Sequence, residues 1–115
     1  MENREYCLFC DKDNLQRHRI ILENELFYAR WDNNAISEGH AEVVSKKHIV
    51  SFFELNEKEI LQLHELINKV REIIDKEYHP DGYNLGCNDG EIGSRTMRHL
   101  HLHIIPRYFE DYTHI

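Results

Sequence analysis

Residues 99–103 read His-Leu-His-Leu-His, and Ile104, Ile105, Pro106 and Arg107 follow. Strict polar–apolar alternation is the signature of a β-strand with one half-buried face. Side chains two apart on a strand stand on one side of it, about 6.5 Å from each other. The pattern predicts His99, His101 and His103 along one surface, with Leu100, Leu102 and Ile104 packed into a core behind them. Each imidazole needs a hydrogen-bond partner once covered, so a sheet gains no stability from three in a row. One strand histidine is usually incidental; three at period two point to a site.

The clearest element upstream is a helix over residues 57–78. Asn56 is placed to cap it, with Glu59 three residues on completing a capping box and Leu55 and Ile60 placed for a hydrophobic staple. Ile60, Leu63, Ile67, Val70 and Ile74 recur at three- and four-residue steps as one apolar stripe. His79-Pro80-Asp81-Gly82 stops the helix. His64 and His79 are expected on its polar side or at its end and are assigned no chemistry. Residues 26–31 and 40–45 read as strands joined by a polar loop, 20–22 as a further short strand, 83–88 as a strand, 89–93 as a turn and 96–106 as the histidine strand. The expected fold is α+β: an antiparallel five-stranded sheet with one long helix on one face and a short N-terminal helix.

At 115 residues the chain is long enough for one core but not two, so a single domain over residues 1–115 is expected. No apolar run approaches the length of a membrane span, and the N-terminus (MENREYC) lacks a basic region followed by an apolar stretch. A cytoplasmic protein is expected. A net charge of −7 repels a nucleic-acid backbone and an anionic membrane, which argues against either partner. A small phosphorylated ligand stays compatible where positive charge gathers locally, and Arg95, Arg98 and Arg107 flank the histidine strand.

The three cysteines are odd in number and unevenly placed, so they do not form a disulfide framework. Cys7 and Cys10 make a C-x-x-C pair, readable as a redox dithiol, as half of a zinc site or as two ordinary thiols. A redox pair wants a helix start in a βαβ context, which the first ten residues lack. A closed zinc site needs four nitrogen or sulfur ligands. His48 and His99 are candidates for the remaining two, and spacing alone does not choose among the histidines. Cys87 is expected to be a small buried apolar residue.

Imidazole can bind metal, shuttle protons or attack an electrophile. Three on one strand beside Gly/Asn-rich segments and arginines suit a phosphorus centre, because a labile phosphoryl-imidazole splits one hard displacement into two easier ones. Here the chain resembles the histidine triad (HIT) superfamily, defined by H-x-H-x-H followed by two apolar residues. The resemblance extends to Asp32-Asn33-Asn34-Ala-Ile-Ser-Glu-Gly-His40, Val44-Ser-Lys-Lys-His48-Ile and Gly82-Tyr-Asn-Leu-Gly-Cys-Asn88-Asp-Gly, in the family's order.

The resemblance implies a nucleotidyl hydrolase or transferase acting at the α-phosphate of a nucleoside phosphoramidate or dinucleoside polyphosphate. It implies a covalent nucleotidyl-histidine on His101. His99 and His103 flank it, His103 helps the leaving group, and His40 completes the hydrogen-bond network. It places Asp32 and Asn34 near ribose and base, and Asn88 and Thr96 near the phosphates. In a subset of the family, the residues matching Cys7, Cys10, His48 and His99 hold structural zinc, and members are commonly homodimers. Three departures stand out, at Ser94, whose Cβ stands where the backbone is usually unencumbered, at Arg95 and at Ser45. Ser94-Arg95-Thr96 replaces a customary Gly-Gln-Thr, so that Arg95 either contacts phosphate or faces solvent. Ser45 replaces a customary proline, with little consequence expected. The altered 94–95 stretch also motivates a second reading, a nucleotide-binding scaffold with vestigial turnover.

Overall fold

A computed structural model describes residues 19–90 and 99–112. Five strands, β1 (Ile20–Glu23), β2 (Phe27–Trp31), β3 (Ala41–Ser45), β4 (Gly82–Gly86) and β5 (His101–Arg107), form one sheet in the order β1-β2-β3-β5-β4. Every neighbouring pair is antiparallel. The expected short N-terminal helix lies outside the described residues.

A 22-residue helix, α1 (Glu57–Tyr78), follows β3 after a single 3-10 turn at Phe52–Glu54. Its start is the expected capping box: Asn56 Oδ1 accepts the Glu59 N–H at 2.8 Å, and Glu59 Oε1 accepts the Asn56 N–H at 2.8 Å. Two of the otherwise unpaired N–H groups of the region are thereby satisfied. The helix ends at His79, which takes a left-handed conformation (φ 52°), and Pro80 follows. His64 and His79 are exposed, as expected.

Leu63, Leu66, Val70 and Ile74 of α1 are buried against Phe27 and Ala29 of β2, Ala41 and Val43 of β3 and Ile104 of β5. The stripe differs from the sequence reading at one margin. Ile60 and Ile67 are seven residues apart and share one edge of the helical face, so Ile60 is exposed and Ile67 only half-covered, while Leu66 takes a central place. Helix therefore covers one side of the sheet. The other side carries Tyr28 and Arg30 of β2, Glu42 and Val44 of β3, and His101 and His103 of β5, paired in register across the strands.

Two strand limits shift. β4 ends at Gly86 rather than residue 88, because Ser51 Oγ and the Phe52 N–H donate to the Asp89 carboxylate and draw the chain off the sheet. β5 begins at His101, so His99 and Leu100 precede the strand; residues 96–98 lie outside the described part. Cys87 is half-exposed rather than buried.

Candidate active site

The loop from β2 to β3 brings Asp32 and His40 to the end of β5. Its two ends are tied by the Asp32 N–H donating to the His40 carbonyl at 2.9 Å. Inside it, Asp32 Oδ1 accepts the Asn34 N–H at 2.7 Å, an Asx turn. Ser37 Oγ donates to the Pro106 carbonyl at 2.6 Å, fastening the loop to β5. Gly39 has φ 89°, and a Cβ there would lie 2.9 Å from the Tyr78 ring. Glycine at this place lets the chain pass close over the end of α1 and deliver His40.

The triad is not one flat row. His101 and His103 are half-buried on the open side of the sheet, whereas His99 is only 2% exposed and is turned toward Ser45. His101 Nδ1 lies 2.8 Å from the His99 carbonyl. A carbonyl can only accept, so Nδ1 carries the proton and the lone pair of neutral His101 is on Nε2. Burial pushes the His101 imidazole below its ordinary value, partly offset by that hydrogen bond. The ring is thus held neutral, with one nitrogen tied back and the other presented.

His103 is arranged in the opposite sense. Its Nδ1 lies 3.0 Å from His40 Nε2 and 3.5 Å from Asp32 Oδ2. The bond to Asp32 holds the His103 imidazole above its ordinary value against the effect of burial. Burial works to raise Asp32 as well, but the hydrogen bonds from His103 and the Asn34 backbone N–H win and hold its carboxyl well below the usual range. Burial lowers His40, opposed by Asp32, whose Oδ2 lies 3.3 Å from His40 Nε2. Two imidazoles with centroids 5.2 Å apart, His101 and His103, therefore favour different protonation states. Such a pair can serve as nucleophile and proton donor at one centre.

Asp32, His40 and His103 present three ligand-type atoms at mutual distances of 3.0, 3.3 and 3.5 Å. These suit a face of a metal polyhedron as well as a hydrogen-bond relay. The backbone decides. The Ile36 N–H donates to His40 Nδ1 at 3.2 Å, which puts the proton of neutral His40 on Nε2, the atom a metal would need. A ligating histidine normally donates from its remote nitrogen instead. This hydrogen-bond pattern favours a relay over a metal site.

His99 shows that ligating pattern. Its Nε2 donates to the Ser45 carbonyl at 2.7 Å, leaving the acceptor side of the ring at Nδ1, and the His48 ring stands edge-on with centroids 4.8 Å apart. Burial pushes His99 down to about 4, so it is neutral at physiological pH, as a metal ligand must be. Two of the four residues expected to hold zinc are thus brought together; Cys7 and Cys10 lie outside the described residues. So do Arg95 and Thr96. Asn34 is exposed beside the Asx turn, and Asn88 is exposed two residues beyond Gly86, the residue paired with His103.

Sequence reasoning missed two contributors. Ser45, set aside as a neutral replacement for proline, is fully buried, and its Oγ donates to the Lys47 carbonyl at 2.8 Å and lies 3.2 Å from His99 Nε2. The other is the Arg30–Glu42 pair, whose period-two places on β2 and β3 could have flagged it once those strands were set side by side.

The HIT domain family matches residues 14–110. The chain belongs to the HIT family. It is 35% identical over 106 residues to an uncharacterized HIT-like protein of Methanocaldococcus jannaschii, covering 91% of this chain and 81% of the relative. It is 32% identical over 108 residues to an adenosine 5'-monophosphoramidase of Schizosaccharomyces pombe, covering 92% of this chain and 77% of that enzyme. Among solved structures it is similar to a HIT family protein from Bacillus anthracis, with a TM-score of 0.81 and 32% identity over 92% of this chain and 76% of the other. It is also similar to a zinc-bound histidine triad family protein from Mycobacterium smegmatis, with a TM-score of 0.79 and 27% identity over 92% and 78%. The five-stranded antiparallel sheet with one long helix is the fold of these HIT-family neighbours.

Proposed function

We propose that this HIT-family protein is a nucleotidyl hydrolase or transferase that cleaves nucleoside phosphoramidates or dinucleoside polyphosphates at the α-phosphorus through a nucleotidyl-His101 intermediate. The observation that carries the reading is the 2.8 Å tie from His101 Nδ1 to the His99 carbonyl beside a His103 biased toward its charged form. His101 Nε2 attacks phosphorus, a P–N bond to phosphorus forms, and the bond to the amine or phosphate leaving group breaks. Protonated His103 gives its proton to that leaving group. Neutral His103 then takes a proton from water, which attacks the adduct, releases a nucleoside monophosphate and regenerates neutral His101. Asp32 and His40 fix His103 and its proton throughout.

Asp32 and Asn34 are assigned to the nucleoside, and Asn88, Arg95 and Thr96 to the phosphates, where donors offset charge shifting onto the non-bridging oxygens. Cys7, Cys10, His48 and His99 are assigned to structural zinc, which supplies no chemistry at phosphorus but anchors the start of β5. A cytoplasmic homodimer is the accompanying assignment. β4 is an edge of the sheet with Leu85 58% exposed, and no described helix is long and apolar enough to cross a membrane.

The test is a panel of adenosine and guanosine phosphoramidates and dinucleoside tri- and tetraphosphates, assayed for monophosphate release. Turnover of at least one class, lost in His101→Ala, is expected. Nucleotide binding that survives His101→Ala, with no turnover of any member, would replace the enzyme with a binding scaffold.

A further inference from the structure

Arg30 of β2, Glu42 of β3 and His103 of β5 stand directly opposite one another across three strands, Arg30 against Glu42 and Glu42 against His103. They therefore project from the same side of the sheet. Arg30 Nη1 lies 3.2 Å from Glu42 Oε2, with side chains 3% and 5% exposed. One carboxylate oxygen of Glu42 and one ring nitrogen each of His101 and His103 lie within 4.8 Å of one another. A buried ion pair is a poor source of stability, since a well-packed apolar pair does as well or better. Val44 and Tyr28 show that apolar and aromatic side chains are accommodated in the neighbouring row of this same face.

We propose that Glu42, held by Arg30, is a positioning residue for the transfer step, bracing His103 against His101 and Asp32 in the geometry that lets it deliver its proton. This rests on the roles given to His101 and His103 above. Glu42 touches no reacting atom; it acts through the imidazoles. The charge around His103 supports the assignment. Glu42 and Asp32 both favour its protonated form. Burial and the neighbouring Asp32 carboxylate push Glu42 upward, and Arg30 opposes them by holding its charged form. The groups facing His103 are Arg30 from β2, Glu42 and His40 from β3 and its approach, Asp32 from the loop, and His101 on β5. Arg107, at the far end of β5, bears on His40.

Two variants test it, because removing one member of a buried pair can unfold a chain for unrelated reasons. Glu42→Gln keeps shape and hydrogen-bonding capacity, while the double variant Arg30→Met, Glu42→Leu replaces the pair with apolar groups. In both folded proteins kcat is expected to fall about tenfold or more with KM within about twofold, a part of the roughly 10²–10⁴ that a positioned proton donor contributes. In both, ¹⁵N imidazole NMR is expected to show the His103 titration moving to lower pH. Wild-type kcat and an unmoved His103 titration in the two folded variants would overturn the proposal, and so would a change confined to KM. If the wild-type chain turns over none of the substrate panel, the enzymatic reading fails. The proposal then fails in its catalytic part too, whatever the NMR shows about the Glu42–His103 contact.

Discussion

His101 and His103 lie two residues apart on one strand, yet their surroundings pull them in opposite directions. Burial keeps His101 neutral against the opposing pull of the His99 carbonyl, which fixes its tautomer, and the bond to Asp32 biases His103 toward its charged form. The pH dependence follows with a definite sign. Activity is lost on the acid side when His101 gains a proton, which happens below the ordinary imidazole range because its value is lowered. It is lost on the alkaline side when His103 loses its proton, which happens above the ordinary imidazole value because the bond to Asp32 raises it. A profile of kcat against pH is expected to show a plateau spanning neutrality, and a single limb centred on ordinary imidazole would contradict it. Ser45 acts at the same scale. Replacing it with alanine removes the hydroxyl shared by Lys47 and His99 and is expected to cost about 1 kcal/mol in urea unfolding, a typical value for one buried hydrogen bond.

At the level of elements, the β2–β3 loop does as much for the site as β5. Gly39→Ala would set a Cβ 2.9 Å from Tyr78 at a φ of 89°. A loss of roughly 1–3 kcal/mol is expected, together with a fall in kcat as His40 moves off His103; unchanged thermal melting and kcat would refute this role. The bounds of the helix were legible residue for residue, though not every residue of its buried stripe, because Asn56, Glu59 and the 79–82 stop are local chemistry that tertiary packing did not override. The five strands were legible as elements, but their ends were not. β4 stops at Gly86 because Asp89 is claimed by Ser51 and Phe52, partners far away in the chain. His99 reads as an equal member of the triad in sequence. In space its ring turns away to Ser45, since alternation describes a strand only once it has begun. Arg30 and Glu42 look like ordinary strand charges until the sheet order makes them neighbours of His103.

For the whole molecule, one side of the sheet is given to the helix and the core, and the other carries His101, His103, Glu42 and Arg30. The strand carrying the histidines is interior, held by β3 on one side and the edge strand β4 on the other. Zinc on Cys7, Cys10, His48 and His99 would tie the chain's start to that strand, so metal should govern stability more than rate. Metal analysis is expected to find one zinc per chain. Cys7→Ala and His48→Ala are each expected to lower the melting temperature by more than 5 °C or so, with kcat changed less than about threefold in the folded fraction. Unchanged melting in both variants would remove the structural role.

The central claim is that the middle imidazole of the triad bonds to phosphorus. Intact-mass spectrometry after rapid quenching of a turned-over nucleoside phosphoramidate or dinucleoside polyphosphate tests it directly, with peptide mapping under conditions that spare phosphoramidates. A transient mass increase of one nucleoside monophosphate residue, mapped to His101 and missing in His101→Ala, is the predicted result. Steady turnover with no adduct on any histidine, continuing in His101→Ala, would contradict it.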